Sequence, residues 1–231
     1  MKGSIRAVLL AGLLCAACSS NRPTPIHEAS TLEGLQRIEV RGLDAVYVKP
    51  NADLSKYRRI MVDELDVAFS RGWERAQRSI PSTWTRADSE RIKRDLSELF
   101  AEVVKNELQT KGNYELVDEA AQDVLEVRPS IIDLYITAPD VSRDSPGIVR
   151  SYTTDAGRMT LIAELRDSIT GEILARVYDR REDMRSANWE WTTSITNAQK
   201  ARQAIRSWAR ILREALDAAR ESDRIASGSA P

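Results

Sequence analysis

Both cysteines of this 231-residue chain, Cys15 and Cys18, stand near its start, and its one histidine is His27. Everything downstream must therefore fold without a disulfide or a Cys/His metal clip, on apolar burial alone. The length allows it, since a domain of about 200 residues buries roughly 70% of the surface its extended chain exposes. A content of 42% hydrophobic and 30% charged residues is that of a globular domain with a core. The 34 basic residues are balanced by 35 acidic ones, so no global field draws the chain to nucleic acid.

The cysteines sit inside an address. Lys2 and Arg6 precede the apolar run Ala7 to Ala17, the pattern of a secretory signal. As a helix that run spans about 16 Å, too short for roughly 30 Å of bilayer hydrocarbon. Cys15-Ala-Ala-Cys18 at its end resembles the lipobox of bacterial lipoproteins, with a small residue before Cys18, although Cys15 replaces the usual Leu. That resemblance implies cleavage after Ala17 and acylation of Cys18. Residue 19 is Ser rather than the Asp that holds such proteins at the inner membrane, so the expected location is the outer membrane, facing the periplasm.

The organisation that follows is a signal peptide over 1–17, a lipidated Cys18 and polar tether over 18–34, one domain over 35–221 and a disordered tail over 222–231. Within the domain, β-branched runs predict strands at Ile38–Val40, Ala45–Val48, Tyr57–Val62 and Tyr114–Val117. Residues 70–87 lack a period and read as a long loop carrying Trp73 and Trp84. Thr85-Arg-Ala-Asp88 has capping-box spacing, and Ile92, Leu96, Leu99, Phe100, Val103 and Leu108 make one helical stripe. Lys111-Gly112 is expected to end that helix in a left-handed residue. Asp123–Ile136 reads as a strand with Pro129 at an edge or bulge. Gly157–Asp167 alternates cleanly and pairs with Glu172–Tyr178 across a turn. From Asn197 a second stripe runs Ala201, Ile205, Trp208, Leu212 and Leu216. The fold class is α+β, a two-layer sandwich of a mostly antiparallel sheet and two amphipathic helices.

Asn51-Ala-Asp-Leu-Ser-Lys-Tyr-Arg-Arg-Ile-Met-Val-Asp63, the Trp73 loop, and Tyr114-Glu-Leu-Val-Asp118 followed by Asp123-Val-Leu-Glu-Val are similar to a bacterial lipoprotein family catalogued as domain-of-unknown-function family 3313. The likeness runs over roughly residues 35 to 220. It implies an α+β periplasmic lipoprotein and no activity.

The residues themselves offer little chemistry. A nucleophile activated by imidazole needs a histidine that the domain does not have, and the ten glycines make no phosphate-cradling loop. Two carboxylate clusters, Asp63/Glu64/Asp66 and Asp118/Glu119/Asp123, are open either to a hard-metal or hydrolase reading or to solvated turns. Arginine makes up 27 of the basic residues, and Arg202, Arg206, Arg210 and Arg213 share a face of the last helix. They suit an anionic envelope polymer or simply a solvated face. Trp189 and Trp191, two apart, suit a partner contact or a cap on the core.

The expectation is a non-enzymatic, membrane-anchored binding or accessory module for an envelope protein or cell-wall polymer, without cofactor, metal or nucleic acid. A metal-assisted hydrolase and a self-assembling scaffold are the alternatives.

Overall fold

The computed structural model describes residues 34–73, 75, 85–136, 157–182, 194–226 and 228, which fall in one compact unit. In chain order the strands are β1 (Gln36–Ile38), β2 (Ala45–Val48), β3 (Arg59–Val62), β4 (Asp66–Phe69), β5 (Glu115–Leu116), β6 (Val124–Tyr135), β7 (Arg158–Asp167) and β8 (Ile173–Glu182). Helix α1 (Arg86–Lys105) lies between β4 and β5 and runs on as a π-helical turn, Asn106–Lys111; α2 (Ser194–Ala226) follows β8. All eight strands form one sheet in the order β1-β2-β8-β7-β6-β3-β5, with β4 also on β6. From β1 to β6 neighbours are antiparallel, whereas β3 and β4 join β6, and β5 joins β3, in parallel. The α+β layering is as expected from sequence, and the sheet is mixed because α1 carries the chain back over it between β4 and β5.

β4 was hidden in the sequence by the acidic residues around it. Only Val67 and Phe69 of Asp66–Phe69 are buried, and the strand lies end to end with β3 along one side of β6. That break explains Pro129. Val127 O accepts from Asp63 N at 2.9 Å, so odd-numbered residues of β6 turn their backbone groups toward β3 and β4. Pro129 is next in that series, and it falls between the Val62–Val127 and Asp66–Ser130 pairs, where no partner strand requires its missing N–H.

The helices cover one face of the sheet. Met159, Leu161, Ala163 and Leu165 of β7 alternate into a core shared with Leu96, Phe100, Val103 and Val104 of α1 and Ile205, Trp208, Ala209 and Leu216 of α2. The opposite face carries ion pairs: Glu164 is held by Arg166 and Arg176, and Arg128 bridges Glu126 and Asp63.

The α1 start is a capping box, with Thr85 N and Oγ1 donating to Asp88 Oδ2 and Asp88 N donating to Thr85 Oγ1. Its end differs from the expectation. Gly112 is right-handed, at φ −94°, and Asn113 takes the left-handed turn, at φ 54°. Glycine is needed at 112 for another reason: a Cβ there would lie 2.8 Å from Leu108 O and 2.8 Å from the Tyr114 ring. α2 begins at Ser194, ahead of the expected Asn197, and continues to Ala226, so the first residues assigned to a disordered tail are helical.

Candidate functional site

At one end of the sheet, where β6 and β8 finish and β7 starts, the first turns of α2 stand off the strands and leave a cleft of about 340 Å³. Leu134, Tyr135 and Ile136, Gly157 to Met159, and Arg181 with Glu182 line its sheet side; Lys200, Ala201, Gln203, Ala204 and Ser207 line its helix side. Two features of the sequence make this space. α2 carries alanine at 201 and 204, where its stripe faces the sheet, and fills the stripe with Ile205 and Trp208 only lower down. On the sheet side β6 bulges. Asp133 has φ 54°, a left-handed conformation rare inside a strand, and the register with β7 slips between Ile132 and Tyr135.

The bulge changes which residues face the core. Leu125, Val127 and Ile131 alternate, and then Leu134, not residue 133, is buried. Asp133 is freed to accept from Arg158 Nε at 3.0 Å; Arg158 also donates to Ser70 Oγ at 3.3 Å and lies 4.7 Å from the Tyr135 ring centroid. Arg181 is braced by Asp179 and by Gly42 O. Asp179 is buried and accepts from Trp208 Nε1 at 2.6 Å and from Asp44 N at 3.1 Å, which ties β8 to α2 beside the cleft. The cleft is therefore an apolar floor bordered by Arg158, Arg181, Lys200 and Glu182, with the two arginines already matched by Asp133 and Asp179. Its concave, partly apolar lining suits binding.

The described residues that the sequence singled out lie elsewhere. Arg202 grips Glu102 through two bonds, 2.7 and 3.1 Å, and Arg213 reaches Glu107 and Asp217, so both hold α2 to its neighbours. Arg206 and Arg210 are exposed, with Glu214 3.9 Å from Arg210. The four do not form one charged surface. Trp73 is 1% exposed, stacks on Phe69 at 4.6 Å and donates to Ile136 O at 2.7 Å, which makes it a core anchor. Cys18, Trp84, Trp189 and Trp191 lie outside the described residues. Asp63 pairs with Arg128 and Asp123 with Arg59, whereas Glu64, Asp66, Asp118 and Glu119 are exposed. Among the described residues no group of three His, Cys, Asp or Glu side chains could hold a metal, and no helix is long and apolar enough to cross a membrane.

The cleft residues Arg158, Arg181 and Lys200 escaped the sequence reading. One signal was available: the three-residue step from Ile131 to Leu134 inside an alternating strand marks a bulge, and bulges often adjoin sites.

Residues 27–212 match the family model described as protein of unknown function, DUF3313, starting earlier than the resemblance suggested. No curated protein sequence matches the chain. Among solved structures, the PelC dodecamer of Paraburkholderia phytofirmans is similar at 12% identity and TM-score 0.38, over 73% of this chain and 96% of that one. A candidate lipoprotein of Caulobacter crescentus CB15 is similar at 16% identity and TM-score 0.31, over 78% and 96%. Protein XCC0632 of Xanthomonas campestris, of family DUF330, is similar at 13% identity and TM-score 0.35, over 72% and 87%.

Proposed function

The chain belongs to the DUF3313 family of unknown function, and we propose that it is a lipid-anchored binding module of the bacterial outer membrane, facing the periplasm and acting without catalysis. The observation that carries this reading is the makeup of the cleft: Arg158 and Arg181 are each held by a structural carboxylate, and the floor beneath them is apolar. Such a lining suits contact with a partner. The anchor is Cys18, from the lipobox-like Cys15-Ala-Ala-Cys18. Acyl chains at about 0.8 kcal/mol per buried methylene keep such a protein on its membrane. Trp189 and Trp191, just ahead of α2 in sequence, are the candidates for a contact with an envelope protein or cell-wall polymer.

Two measurements test this. Labelled palmitate enters the natural protein and not the Cys18→Ser variant; equal labelling rejects the anchor. A photo-crosslinker at Gln203, on the cleft wall, gives a discrete adduct in cells that the same group at Arg94 of α1 does not. Identical patterns from both positions reject the cleft as a binding surface.

A further inference from the structure

β1 ends the sheet on one side, and its outer edge is open. Lys49 N donates to Leu174 O at 2.8 Å, so odd-numbered residues of β2 bond to β8, and Val46 and Val48 turn toward β1. Their partners Ile38 and Gln36 therefore bond inward, whereas Arg37 turns its N–H and C=O to the open edge, as does the next odd residue, Glu39. Ile38 ends a row that runs Ala163, Val177, Val46 across the core face, yet it is 45% exposed. Arg37 lies on the other face, with Glu39 two residues on, and both are exposed. Arg37 donates to Asp44 O at 3.2 Å, and among the described residues neither charge has an ion-pair partner.

We propose that β1 pairs with β1 of a second copy, antiparallel about a two-fold axis through Ile38, so that one sheet runs through both chains. A ladder across the axis must oppose odd residues to odd residues, which leaves registers centred on Arg37, Ile38 or Glu39. Centring on Arg37 sets arginine against arginine, and centring on Glu39 sets glutamate against glutamate. The register centred on Ile38 opposes Arg37 to Glu39 twice and covers each Ile38 with the other. Ile38 then occupies a non-hydrogen-bonded position, where opposed Cα atoms are about 4.5 Å apart and side chains lie closest. The same charges repel strands that do not match them, so the edge is selective for its own sequence. Pairing gives β1 a second neighbour besides β2. The contact is short, because the chain turns after Val40, whose O accepts from Leu43 N. Tethering both copies to one membrane, as an acylated Cys18 would, raises their effective concentration and favours it. The cleft plays no part.

The test exploits a domain without cysteine. The full chain with Ile38→Cys is expressed in cells and oxidised with diamide, which crosses membranes, and the unsubstituted chain sets the background. The introduced thiols oppose each other within disulfide reach and give a dimer band on a non-reducing gel. Gln36→Cys sets each thiol about 13 Å along the strand from its symmetry mate, beyond that reach, and gives about tenfold less. With Ile38→Cys present, Arg37→Glu or Glu39→Arg alone opposes like charges and lowers the band about fivefold or more. The Arg37→Glu and Glu39→Arg chains, coexpressed with different tags, cross-link to each other and not to themselves, a pattern that loss of folding cannot produce. No band from Ile38→Cys, equal bands from Ile38→Cys and Gln36→Cys, or no selective pairing of the two charge variants overturns the proposal. The palmitate label and the Gln203 adduct report on the anchor and the cleft whichever way this falls.

Discussion

The two ends of the sheet are built on opposite plans. At the end away from the cleft, Asp167 closes the β7–β8 turn by accepting from Thr170 N at 2.9 Å, Ile169 N at 3.2 Å and Tyr57 OH at 2.8 Å. Nearby, Tyr114 OH donates to Asp217 at 2.8 Å, Arg213 joins Asp217 to buried Glu107, and Arg220 lies 3.9 Å from the Tyr114 ring centroid while donating to Arg58 O. Helix, turn and strand ends are cross-bonded there, and the side chains leave no room for so much as a Cβ at Gly112. At the cleft end the same sheet spends a left-handed Asp133 on opening a gap that alanines leave unfilled. One end holds the fold, and the other is free to present a surface.

The contrast can be broken by substitution. Leu108 is fully buried in the π-helical turn at the closed end, and Leu108→Ala is expected to cost about 2–5 kcal/mol in chemical denaturation. Gly112→Ala forces a contact with backbone at 2.8 Å and is expected to cost about 1–3 kcal/mol. Tyr57→Phe removes a buried bond to a carboxylate and is expected to cost about 1.5–3 kcal/mol. Lys200→Gln at the cleft should stay within about 0.5 kcal/mol. A cleft variant as damaging as Leu108→Ala would erase the distinction.

Acid sharpens it. The Thr170 backbone N–H above all, and then the Tyr57 hydroxyl and Lys56, outweigh the effect of burial and hold the Asp167 carboxyl far below the usual carboxylate range. Burial tends to raise the Glu107 carboxyl, but Lys111 and Arg213 outweigh it and leave it lowered. Groups depressed on folding stabilise the protein above their unfolded pKa, near 4, and that contribution is lost as pH falls through their folded values. Melting temperature should fall with acid below about pH 4, and Asp167→Asn should flatten that fall. At the alkaline limb burial pushes the Tyr57 hydroxyl up to about 12, so its bond persists above pH 10 and is lost as pH rises through that value; Tyr57→Phe removes this step from the titration.

The first helix and the closed end were the more legible in sequence. The Thr85–Asp88 spacing, the α1 stripe through Leu108, and the Asp167–Gly171 turn are local patterns, and each forms where local chemistry puts it. The cleft was not legible, because Arg158, Arg181 and Lys200 come from three separate elements and acquire meaning only when the sheet and α2 meet. The arginine stripe stayed open between an anion site and a solvated face for the converse reason. Periodicity places Arg202 and Arg213 on one helix face, but it cannot show that Glu102 and Glu107 wait on the neighbouring segment to neutralise them. β4 failed for a third reason: Asp63, Glu64 and Asp66 crowd its start and leave only the short apolar stretch Val67–Phe69.

The first strand gives the molecule a mechanical property. β1 holds β2 by only three residue pairs, of which Gln36–Val48 is the outermost, whereas β2 is backed by the ten-residue β8. A pull on the chain ahead of Gly34, when directed away from the sheet edge, would load those pairs one at a time and not as a sheared block. Buried core residues begin only at Ala45, so β1 could come away and leave the domain folded. Peeling it as far as Asp44 would lengthen the free leader by about 30 Å at 3.3–3.6 Å per residue. Anchored by its N-terminus, the protein would have a leash that lengthens under load.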